Sequence, residues 1–193
     1  MAPLSEFLIL QAWPRTTRRF PVVARGWVKQ SRSVKPANSY VYLVSTAEGL
    51  CNVVSFLPPV NVFAKGLAEE AIVGGLRGGV NEINMETFRP NAAFVRFLHD
   101  TIAKHGPNTP GLQEEAQRLG NGWVYMIDGR APTPDGQVDP EDIIGAFQAE
   151  GGRIVAESYR ASPKHLLVSK HGLFVLDTWL QERLMEELSL LGP

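Results

Sequence analysis

Cysteine is nearly absent: Cys51 is the only one in 193 residues. A lone thiol cannot close an internal disulfide, so the fold has no covalent staple, which agrees with a reducing compartment such as the cytoplasm. Metal ligands are also sparse, since the four histidines and the one cysteine show no finger or zinc-protease spacing. His99 and His105 stand six apart on one predicted helix and project about 240° from each other. His165 and His171 each follow a lysine, Lys164 and Lys170, whose charge opposes a cation. No metal and no cofactor is expected. Long apolar runs are missing too: Phe7-Leu8-Ile9-Leu10 is too short for a signal core or a membrane span, and no basic residue precedes it. The sequence therefore predicts a soluble, cytoplasmic protein with no membrane partner.

The local signatures of common enzymes are lacking as well. No Gly-x-Ser-x-Gly elbow occurs. Gly74-Gly75-Leu76-Arg77-Gly78-Gly79 is rich enough in glycine to approach an anion, yet Val80-Asn81 follows where a phosphate loop needs Lys and then Ser or Thr. Cys51 sits between Leu50 and Asn52, which supply no activating charge, and reads as an inert buried thiol.

What the chain does have is an ordinary globular balance, with 44% hydrophobic and 20% charged residues. The net charge of −1 hides an asymmetry: Arg15, Arg18, Arg19, Arg25, Lys29, Arg32 and Lys35 crowd the start, and acids exceed bases beyond residue 37. Such polarity fits a solvated face, an anionic partner, or two halves that attract each other.

Alternation of β-branched and aromatic residues with polar ones predicts strands over 7–13, 20–30, 40–46 and 50–57, with Pro58-Pro59 ending the strand region. Helical spacing is read over 64–76, from Leu67, Ala71 and Leu76. A firmer helix follows Asn91, with Phe94, Phe97, Leu98, Thr101 and Ile102 on one stripe and Gly106-Pro107 as its stop. Thr109, Pro110 and Gly120 punctuate another, with Leu112, Ala116 and Leu119 facing inward. A strand over 122–127 leads into a Pro- and Gly-rich loop, and strands over 143–148 and 153–159 form a hairpin around Gly151-Gly152. A helical turn at Asp139-Pro140-Glu141-Asp142 precedes or replaces the first of those two strands. A short strand at 173–176 precedes a last helix, where Thr178 and Gln181 form a capping box and Leu180, Leu184, Leu188 and Leu191 make a stripe. The expected class is α+β: a mixed or mainly antiparallel sheet with several helices packed against it, in a single compact domain. It is strand-rich over 1–60, helical over 64–120, and carries a strand hairpin and a terminal helix over 122–193.

Three functional readings arise. The first is a non-catalytic binding or protein-interaction domain, supported by the lack of a reactive constellation and by the rigid loop from Gly129 to Pro140; its partner is a protein or a second copy. The second is nucleic-acid binding through Arg25, Trp27, Lys29, Arg32, Tyr40 and Tyr42, where aromatic and basic side chains share strand faces. This stretch resembles the first strands of an OB-fold of the anticodon-binding kind, a resemblance that implies bases stacked on the aromatics and phosphates followed by Arg and Lys. The third is an enzyme whose site is assembled from dispersed residues around Asp128, the best-placed acid at a strand end, with Arg130, Arg77 and His165 or His171 as polar companions.

Overall fold

A computed structural model describes residues 18–26, 39–46, 49–63, 66–77, 83–131 and 136–191, with residues 23–26 described by their backbone alone. The expected strand over 7–13 and the candidate residues Trp27, Lys29 and Arg32 lie outside these ranges, as does the side chain of Arg25.

The first half builds an antiparallel five-stranded sheet. Its members are β2 (Val22–Gly26), β3 (Tyr40–Thr46), β4 (Gly49–Ser55), β6 (Gly74–Leu76) and β7 (Phe88–Pro90), in that spatial order. Its middle strands are covered on both faces: the neighbours Val53 and Val54 of β4, and Val41 and Tyr42 of β3, point to opposite sides and are all buried, as is Val44. A short strand pair, β1 (Arg19–Phe20) with β5 (Leu67–Ala68), lies beside it.

Residues 64–76 differ from expectation. The helix there is α1 (Pro59–Val62), started by Pro59 in the first turn, and residues 66–76 form β5, a single 3-10 turn and β6. Two glycines explain the difference. Gly66 takes φ +72°, and a Cβ on Gly74 would come within 2.4 Å of the Phe88 ring and the Arg89 carbonyl, so the segment is fitted to lie flat against β7.

Three longer helices follow the expected punctuation. In α2 (Ala92–His105) the Asn91 side chain accepts the Ala93 N–H at 3.0 Å, and Phe94, Leu98, Thr101 and Ile102 are buried. Pro110 opens α3 (Pro110–Leu119) and Gly120, at φ +77°, follows it. Ala116 is buried, but Leu119 is 39% exposed and does not face inward. The stripe Leu180, Leu184 and Leu188 of α4 (Thr178–Leu190) is buried. Its cap stands one residue before the expected Thr178, because Asp177 accepts the Trp179 N–H at 2.9 Å.

The second sheet is centred on β9 (Ile143–Glu150), preceded by a 3-10 turn at Pro140–Asp142. On one side it pairs with β8 (Gly122–Ile127), on the other with β10 (Arg153–Ile154) and β11 (Arg160–Ala161), all antiparallel. Gly151 and Gly152, at φ +55° and +77°, form the tight β9–β10 turn. The expected strand over 153–159 is broken: Ile154 pairs with Ala149 and Arg160 with Ala146, so extra residues around the 3-10 turn Ala156–Ser158 loop out. A last pair, β12 (Val168–Ser169) with β13 (Gly172–Leu173), precedes α4.

Both sheets, α2 and α4 share one apolar cluster that runs from Val41 and Val54 through Phe56, Phe94 and Phe174 to Met126, Phe147 and Leu184. The result is an α+β body with antiparallel sheets, as expected. None of its described helices is long and apolar enough to cross a membrane.

Candidate functional site

Asp128 follows the last residue of β8, and the chain turns there through Gly129, with Ala131 N–H donating to the Asp128 carbonyl at 2.9 Å. The turn points Arg130 inward. Its guanidinium is buried, and every N–H finds an acceptor. Nε lies 3.0 Å from Asp142 Oδ1 and 3.2 Å from Asp128 Oδ2. Nη1 donates to the carbonyls of Leu167 at 3.1 Å and Gly172 at 2.6 Å. Nη2 donates to those of Glu141, at 3.4 Å, and Leu166. Asp128 Oδ1 accepts backbone N–H from Arg130 at 3.1 Å and Val175 at 2.8 Å. One side chain thus ties β8, the start of β9 and the two strands before α4.

His165 Nε2 stands 3.2 Å from Asp128 Oδ2, and its ring meets Phe174 edge-on, with 6.1 Å between centroids. A carboxylate only accepts, so Nε2 carries the proton in this contact. The arrangement is that of a carboxylate orienting an imidazole, a geometry acid–base chemistry uses. The His165 side chain is only 3% exposed, however, and Asp128 and Arg130 are occupied by each other and by the backbone.

A second pair stands nearby. His99 Nδ1 and the Tyr159 hydroxyl lie 2.8 Å apart, and the Tyr159 ring is 4.9 Å from that of Phe147. Burial, and then the charge of His165, hold His99 below the ordinary histidine value, while Asp100 opposes the shift. Burial pushes the Tyr159 hydroxyl well above the usual phenol range. The pair is therefore uncharged at neutral pH. His99 faces Tyr159 because α2 packs against the 3-10 turn Ala156–Ser158, which Tyr159 follows.

The candidates named from sequence separate. Asp128, Arg130 and His165 come together. Arg77 does not join them: it is exposed at the end of β6, where its N–H donates to the Thr87 carbonyl at 2.9 Å. His171 lies instead with Asp139 and Asp142, their ligand atoms within 4.8 Å of one another. Lys170 Nζ already sits 3.0 Å from Asp139 Oδ2, and Arg130 Nε holds Asp142, so protein cations occupy these carboxylates. Among the nucleic-acid candidates, Tyr42 is fully buried and its hydroxyl donates to the Leu57 carbonyl at 2.7 Å, which leaves no ring face for a base. Tyr40 is half-buried beside it.

The outward face of β8 is not among the residues expected from sequence. Val124 and Met126 point to the core, so Trp123, Tyr125 and Ile127 point away from it. Tyr125 is 57% and Ile127 45% exposed. Opposite them on β9 lie Gln148 and Ala146, and the Arg160 guanidinium of β11 stacks 4.8 Å from the Trp123 ring centre. The signal was present in the alternation of Gly-Trp-Val-Tyr-Met-Ile, but which half of a strand meets solvent depends on where α3 packs.

Fold and site together define an α+β protein with a buried ionic clasp and an open aromatic sheet face. Compared with protein-family models, with curated proteins and with solved structures, the chain finds no match.

Proposed function

We propose that this chain is a non-catalytic protein-interaction domain that binds through the open face of the second sheet. One observation carries the reading: Trp123, Tyr125 and Ile127 stand in a row, with Tyr125 and Ile127 largely exposed, beside Arg160. Tryptophan, tyrosine and arginine dominate the energetics of protein interfaces, because each brings a large contact area to a surface that excludes water. The polar cluster that would suit chemistry is turned inward and saturated, so it supports the fold in this reading.

A photoreactive phenylalanine analogue placed at position 125 of the intact chain tests it, with the exposed Glu114 of α3 as the control position. A protein adduct at 125 and none at 114 is the expected result. Equal labelling at both, or none at 125, would defeat the reading.

A second reading is favoured by the Asp128–His165 contact: an enzyme in which Asp128 orients His165 as a base. It expects turnover of some member of a metabolite panel that His165→Asn abolishes without changing the melting temperature. A nucleic-acid reading, now confined to residues other than Tyr42, expects single-stranded oligonucleotides to bind with an affinity that falls steeply with salt.

A further inference from the structure

The sheet edges at β7, at β8 and on the far side of β9 are not alike. The β7 edge is three residues long, Phe88-Arg89-Pro90, and carries a charge and a proline. On the far side of β9 the edge is broken into β10 and β11 by the looped-out turn, and it carries Arg153 and Arg160. Charge, proline, shortness and interruption are the devices by which proteins keep sheet edges from pairing with other chains. The β8 edge has no charge and no proline and is twice as long as β7, and its pairing with β9 shifts register only at its end, between Met126 and Ile127. Its six residues are Gly122-Trp123-Val124-Tyr125-Met126-Ile127, and among the described residues β9 is the only strand with which they pair. Alternate N–H and C=O groups along β8 therefore face away from the sheet with no described strand to meet them.

We infer that β8 is the edge through which two copies of this chain join, antiparallel, about a two-fold axis at Tyr125. The inference rests on the reading of this region as a protein-binding surface and names the partner. Self-pairing sets each residue against its mirror position, so a charged strand would oppose like charges; this strand has no charge to oppose. With the axis at Tyr125, Tyr125 meets Tyr125 of the second copy, and Trp123 meets Ile127 in both directions. These are aromatic–aromatic and aromatic–β-branched cross-strand pairs, the kind that stabilise antiparallel ladders. The exposed side chains of the row then gain a neighbour, and the two second sheets become one continuous sheet. Because the contact is isologous, it consumes both free edges and stops at two copies.

Light scattering on the full chain, with Tyr125→Lys and Tyr125→Glu variants, tests the inference. Tyr125 is more than half exposed, so neither variant disturbs the core, and unchanged melting curves of the diluted proteins check this. The wild-type chain is expected at twice the chain mass, and each variant alone at the monomer mass, since like charges then face each other on the axis. An equimolar mixture of the two variants is expected to recover the doubled mass, because lysine then faces glutamate. A monomeric wild-type chain, a dimer that survives Y125K, or a mixture that stays monomeric overturns the inference. A monomer whose position 125 nevertheless crosslinks to a different protein overturns the self-pairing and leaves the interaction reading standing. A monomer with no adduct removes both.

Discussion

Arg130 directs all its guanidinium N–H groups to two carboxylates and four carbonyls in the interior, so its removal leaves Asp128 and Asp142 buried without a counter-ion. Breaking one partner out of such a pair costs about 3–5 kcal/mol, and Arg130→Met is expected to lower the urea-unfolding free energy by that amount. At Gly145 a Cβ would stand 2.7 Å from the Arg160 carbonyl and from the Tyr159 ring. Gly145→Ala should therefore displace Tyr159 from His99 and cost about 1–3 kcal/mol, read as a lower melting temperature. His99 supplies a pH signature. Its folded-state value lies below its ordinary value of 6.5, so the unfolded chain takes up the proton first. Stability is full above that value, falls as pH drops through it, and levels off below the folded-state value. His99→Gln should flatten that part of a pH titration of stability; an unchanged slope would show that the loss arises elsewhere. At this scale the sequence marked Asp128 and Arg130, because a strand ended there. His165 stands among their expected companions and does meet Asp128, but Asp142 is not marked by the sequence, since the clasp joins segments whose approach is set by the second sheet and not by local spacing.

Among the elements, punctuation proved readable wherever a cap or a proline acted alone. Asn91, Pro110 and Gly120 bound α2 and α3 as their chemistry requires. The cap of α4 stands one position before the expected one because Asp177 and Thr178 are both good N-caps, and only the geometry selects the carboxylate. Asp177→Ala is expected to cost about 1 kcal/mol, whereas Thr178→Ala should change the melting temperature little. Residues 66–76 failed as a helix because the spacing of Leu67, Ala71 and Leu76 fits a helix, while Gly66 and Gly74 answer to a close approach of β1 and β7 that no local pattern records. The broken strand after Ile154 has the same origin. Val155 and Tyr159 look extended, but the Ser158 hydroxyl donates to the Val155 carbonyl at 2.6 Å and closes the turn.

Across the whole molecule, the α+β class followed from strands that precede helices and then return, and the antiparallel order follows from short connections such as Gly151-Gly152. The open face was hidden because period-two alternation divides β8 into two faces without saying which one α3 and the core will cover. With the ionic clasp inside and the aromatic row outside, binding and chemistry would leave different traces on the same backbone. Amide hydrogen exchange over the intact protein, diluted and then concentrated or supplied with native cell extract, separates them. Slowed exchange at residues 122–127 with the segments around Asp128–Arg130 and Asp142 unchanged is what this account predicts. Slowed exchange at those clasp segments on adding the small-molecule fraction alone, with β8 unaffected, would contradict it.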